Sequence, residues 1–130
     1  MGLDVRAYVV VDAPLDETAI NAANEATGLL LCNALVYHGD EELHVVEWDT
    51  LERFYHPGYE RGCWSLIRDA LMALRDAFPG HVVHYHSDCH DGPLPMTTER
   101  MAALDAHHQG VNGDAYHVNS VRHPWTEPTS

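Results

Sequence analysis

The sequence predicts an α+β fold, an antiparallel sheet with helices on one face, and three observations predict it. Short runs rich in β-branched residues recur along the chain, beginning with Val5-Arg6-Ala7-Tyr8-Val9-Val10-Val11. One stretch between Cys63 and Phe78 carries apolar residues at helical spacing. The elements follow one another as strand, helix, strand, strand, helix, strand through residue 86, too mixed for an all-helical or all-strand domain. With 130 residues, 45% of them hydrophobic, the chain is long enough for one domain with its own core.

The first strand, residues 5 to 11, closes at Asp12-Ala13-Pro14, where proline ends regular pairing. Asp16 then stands where a helix cap belongs, Glu17 lies in the first turn, and Ile20, Ala23 and Thr27 share a face. Gly28 is the stop, so the helix runs to about Thr27. It is alanine-rich and has little to bury. The apolar run from Leu29 to Tyr37, the turn signal His38-Gly39-Asp40-Glu41 and the partly alternating Leu43 to Trp48 read together as a β-hairpin.

Residues 50 to 55 read as a short helical turn and His56-Pro57-Gly58-Tyr59 as a loop. In the second helix, Cys63, Ile67, Ala70, Leu71, Leu74 and Phe78 form one apolar face, and Arg68, Asp69, Arg75 and Asp76 fall toward the other side. Pro79-Gly80 ends it, and His81 to His86 is a further strand. Residues 91 to 95 read as a loop. Thr97 or Thr98 can cap a third helix carrying Met101, Leu104 and His108, with a break at 110 to 113. Residues 115 to 122 read as a last strand, and 123 to 130 as a polar tail, so a single domain is expected over 1 to 122.

The order β-α-β-β-α-β resembles the split β-α-β pattern of ferredoxin-like folds, here with a C-terminal helix and strand added. That resemblance implies two helices on one face of the sheet and an opposite face left for something else. It implies no particular chemistry, because this arrangement hosts many unrelated functions.

Charge narrows the function classes. There are 20 acidic residues against 7 basic ones, all arginine, and 11 histidines, for a formal net charge of -13. Scattered arginines cannot form the basic stripe that neutralises phosphates, so direct nucleic-acid binding is not expected, nor is binding to an anionic membrane surface. The charge is uneven. Residues 1 to 65 hold 12 acidic and 3 basic side chains, while 8 of the 11 histidines lie in the second half. Three cysteines at wide spacing and no apolar run of membrane-spanning length suit a reduced, cytoplasmic setting.

Two segments could carry chemistry or binding. The first is His84-Tyr85-His86-Ser87-Asp88-Cys89-His90. On a continued strand, His84, His86, Asp88 and His90 share one face, and two imidazoles with a carboxylate suit a divalent transition metal such as zinc. The alternative is an ordinary strand whose histidines face solvent while Val83 and Tyr85 face the helices. The segment resembles the H-x-H-x-D-H signature of the metallo-β-lactamase superfamily, which would imply a metal-dependent hydrolase. Cys89 departs from that signature by separating Asp88 from His90.

The second segment, Phe54 to Trp64, holds four aromatics in eleven residues. Its exposed members would be Tyr55, His56, Tyr59 and Arg61, residue types enriched where proteins meet. Three functional expectations follow. The first is a small, acidic, non-enzymatic accessory protein, of the kind phages encode, that binds another protein through its acidic surface and this aromatic loop. The second is a metal-binding or metal-dependent hydrolytic domain built on the histidine cluster. The third is a homo-oligomerising domain in which an edge strand or open sheet face pairs with a second copy.

Overall fold

The computed structural model describes residues 2–3, 5–49, 54–55, 63–87 and 92–112. Ten elements follow in chain order: β1 (Gly2–Leu3), β2 (Val5–Val11), α1 (Glu17–Thr27), β3 (Leu31–His38), β4 (Glu41–Trp48), β5 (Phe54–Tyr55), α2 (Cys63–Ala77), β6 (Val83–Ser87), β7 (Leu94–Pro95) and α3 (Thr98–Asn112). The fold is α+β. Five strands form an antiparallel sheet in the order β3-β4-β2-β6-β7, and β1 pairs with β5 in a separate two-stranded ribbon.

The alternation of β2 decides where the core sits. Val5, Ala7, Val9 and Val11 point to one face, where Val9 stands between Val46 of β4 and Val83 of β6. All three helices contribute to the cluster on that face, through Ile20 and Ala23 of α1, Ile67, Leu71 and Leu74 of α2, and Met101 and Leu104 of α3. Ile67, Leu71 and Leu74 have no exposed surface, and each full burial contributes about 1.5–3 kcal/mol. A smaller cluster of Tyr8, Val36 and Val45 occupies the opposite face, with Val10, Ala34 and Leu43 packed around it.

Local signals set the helix ends. The Asp16 carboxylate accepts from the Ala19 N–H at 2.8 Å, and Gly28, at φ 70°, donates its N–H to the Asn24 carbonyl at 2.9 Å. No residue of α1 is buried, as its alanine-rich composition foretold. Among the described residues no helix is long and apolar enough to cross a membrane.

Three local expectations need correction. Phe54 and Tyr55, read as part of a helical turn, form β5, because Gly2 and Leu3 supply a pairing edge from far away in sequence. Leu94 and Pro95, read as loop, form β7 at the sheet margin, where a proline lacking an N–H is tolerated. Arg68, assigned to the polar side of α2, is buried at 2% exposure, and its Nε donates to both carboxylate oxygens of Asp105 at 3.1 and 3.2 Å. The third helix supplies that carboxylate, and nothing in the periodicity of α2 announces it. The last strand and tail read at 115 to 130 lie outside the described residues.

Candidate functional site

On the sheet face opposite the main core, β2 and β6 set Tyr8 directly across from His84. Their rings stack at 10° with centroids 5.2 Å apart. His38, the last residue of β3, completes the group: its Nε2 is hydrogen-bonded to the Tyr8 hydroxyl at 2.8 Å, and its ring centroid lies 4.9 Å from that of His84.

That contact describes the shape of the sheet. On β4, Tyr8 is opposite Glu47 and His38 is opposite Glu41, a separation of six residues along the strand. At about 3.3 Å per residue a flat sheet would hold the two backbones roughly 20 Å apart, beyond the combined reach of the two side chains. The β3–β4 hairpin therefore curls over this face and closes on Tyr8. The curl accounts for the burial of Tyr8, Val36 and Val45, which no described helix covers.

The electrostatics of the cluster follow from that burial. Desolvation pushes the Tyr8 hydroxyl up to about 12, with Arg6 opposing the rise and Glu47 adding to it. Desolvation likewise holds His84 down to about 4, helped by His38 and Arg100 and opposed by the nearby Val82 carbonyl. That carbonyl is not in hydrogen-bond geometry with Nδ1, which is buried without a partner. Arg6, whose guanidinium carbon lies 5.9 Å from the Tyr8 ring centroid, is tied to Glu47 through a bond from Nε at 2.9 Å. Neutral rings at positions 8 and 84 suit packing better than proton transfer at neutral pH.

The sequence-derived candidates are placed unevenly. Val83 and Tyr85 face the helices, while His84 and His86 lie on the second face. His84 does not face solvent but is buried against Tyr8 and His38, because the hairpin covers it. Asp88 and His90 lie outside the described residues, and among the described residues no group of three or more His, Cys, Asp and Glu is placed to hold a metal ion. Of the aromatic segment, Tyr55 belongs to β5, whereas His56, Tyr59 and Arg61 lie outside the described residues.

A second feature emerges from the topology. The chain finishes β2, enters α1 and turns from β3 into β4 at the same end of the sheet. Asp40, Glu41 and Glu42 thereby share the β3–β4 turn, and Asp12, Asp16 and Glu17 lie on the passage from β2 into α1, where the Leu15 backbone bonds the Asn33 side chain of β3; all six are exposed. The described arginines are occupied elsewhere: Arg6 with Glu47, Arg68 with Asp105, Arg75 with its neighbour Asp76, and Arg100 with the Pro95 carbonyl. The acidic bias of the first half was visible in the sequence, but its placement on these two connections depends on strand direction. Compared with protein-family models, with curated proteins and with solved structures, the chain matches none.

Proposed function

We propose that the chain is a small acidic accessory protein, without an enzymatic role of its own, that binds a basic partner protein through the acidic end of its sheet. The observation that carries this reading is the set of six exposed carboxylates on the two connections of this end of the sheet, Asp12, Asp16 and Glu17 between β2 and the start of α1, and Asp40, Glu41 and Glu42 at the β3–β4 turn. Three of them, Asp40, Glu41 and Glu42, lie on a hairpin clasped to the sheet by the bond between Tyr8 and His38, which holds the acidic array on a braced element. An array of one sign steers a basic partner and speeds its encounter. The aromatic segment around Tyr55 and Tyr59 would add apolar contact area to the electrostatic attraction.

We also infer a domain of the split β-α-β type resembling ferredoxin-like folds. This is supported by the order β3-β4-β2-β6 of the longer strands, in which the helix α1 connects β2 to β3 across the intervening β4.

The test immobilises the protein and a variant carrying Glu17→Gln, Asp40→Asn, Glu41→Gln and Glu42→Gln, with Asp16 kept because it caps α1. The expected result is a specific basic protein retained by the parent, released by salt and lost by the variant. Equal retention by both proteins, with the variant's fold intact, would overturn the assignment.

A further inference from the structure

We propose that the helix-side face of the β3–β4 hairpin, centred on Leu35 and Tyr37, is the docking platform for the basic partner, and that it takes a segment carrying apolar side chains among its arginines. The inference rests on the reading of the acidic end as a partner-binding region and names the chemistry of the segment bound there.

Leu31, Asn33, Leu35 and Tyr37 alternate onto the face of the sheet that carries the helices, the face of Val46. Helix α1 and Leu15, just before its cap, cover only the first half of this row. The Asn24 side chain accepts from the Leu31 N–H at 2.8 Å, and the Leu15 backbone exchanges bonds with the Asn33 side chain at 3.0 and 2.8 Å. Leu31 is accordingly buried at 3% exposure, while Leu35 stands 49% exposed and Tyr37 65% exposed. On β4, Leu35 is opposite His44 and Tyr37 is opposite Glu42, so the four side chains form one block on this face.

The block is held in shape before anything binds. The Tyr37 hydroxyl donates to the Glu42 carboxylate at 2.7 Å, which restrains the ring, and the bond between His38 and Tyr8 clasps the hairpin from the opposite face. A restrained aromatic close to an exposed leucine offers apolar area at low entropic cost, as the anchoring residues of interfaces do.

Charge selects the occupant. Asp40 and Glu42 border the block on the side of the turn, and Asp16 and Glu17 follow Leu15 where α1 begins, all of them exposed. A second copy of the chain would bring 20 acidic residues against 7 basic ones to this rim, and like charges would oppose it. A basic segment meets both demands: its arginines reach the rim carboxylates while its apolar side chains cover Leu35 and Tyr37.

The test titrates the full chain, by calorimetry, with two short synthetic peptides of equal positive charge, one built of arginine and serine and the other with leucine and tryptophan replacing some of the serines. The same titrations are run on Leu35→Ser, on Tyr37→Ser and, as a control, on Leu30→Ser, which alters a leucine 51% exposed just before the other end of β3. The expected result is that the peptide with apolar residues binds the parent and Leu30→Ser about tenfold more tightly than the serine peptide, a preference that falls to about twofold or less in Leu35→Ser and Tyr37→Ser while their circular dichroism matches the parent's. Equal affinity of the two peptides for the parent, or a preference that survives Leu35→Ser and Tyr37→Ser, would overturn the proposal and leave the acidic end as a purely electrostatic site. A preference lost equally in Leu30→Ser would overturn it too, since the apolar contact would then have no fixed place. Binding of neither peptide would overturn both the proposal and the reading on which it rests.

Discussion

Replacing His84 with phenylalanine should make the protein less sensitive to acid. In the folded chain the imidazole is buried at 8% exposure, stacked on Tyr8, near His38 and Arg100, with Nδ1 unpartnered. These surroundings oppose a positive charge and hold the group down to about 4 from its ordinary 6.5. The unfolded chain therefore takes up a proton between those values that the folded chain refuses, and stability falls as pH falls through this window. Folding is unaffected by this group well above pH 6.5. At about pH 4.5 its contribution to instability is about 2.5 kcal/mol, because each tenfold loss of proton affinity on folding corresponds to roughly 1.4 kcal/mol. Such a loss is a large fraction of the total stability of a small domain.

Other groups titrate over the same range, so the informative quantity is a double difference. Urea unfolding of the parent and of His84→Phe, each at about pH 7.5 and about pH 4.5, isolates the contribution of position 84. Near pH 7.5 the two proteins should be close in stability, or the variant slightly ahead, because phenylalanine keeps the stacking and removes an orphaned polar atom. Near pH 4.5 the variant should be more stable by the amount above. A gap that stays constant between the two pH values would refute the placement of a buried, neutral imidazole beside Tyr8.

Two further substitutions probe the packing. Asp105→Ala leaves the Arg68 guanidinium buried without that carboxylate, and a loss of about 3 kcal/mol in urea unfolding is expected; a loss below about 1 kcal/mol would mean that the pair does not fasten α3 to α2. Gly28→Ala forces a side chain into the left-handed region at φ 70° where nothing crowds it, so the expected loss of about 1 kcal/mol is backbone strain alone, and an unchanged unfolding midpoint would contradict the C-cap geometry.

Local structure was legible in the sequence where one residue settles it. Asp16 and Gly28 bounded α1 because an acidic cap and a left-handed stop act within a single turn. The spacing of Ile67, Leu71 and Leu74 foretold the buried face of α2 because a helix repeats on its own period. Contacts between distant segments were not legible. Arg68 reads as a surface residue until α3 brings Asp105 to it, and His38 reads as part of a turn until the hairpin curls over Tyr8. His84 stood out in sequence through its histidine neighbours, yet the groups that surround it come from other strands and from α3. The same holds for the acidic end, since Asp12 and Glu42 are far apart in the chain and reach the same end of the sheet only through the antiparallel register of β2 and β4.

Binding of a basic partner at the acidic end is tested most directly by following the backbone amide resonances of the protein during titration with an arginine-rich peptide, at low and at high salt. Saturable changes in resonance position should concentrate at Asp12, Asp16, Glu17, Asp40, Glu41 and Glu42 and weaken as salt is raised. Changes of equal size along α3 and around β7, or no saturable change at low salt, would contradict it.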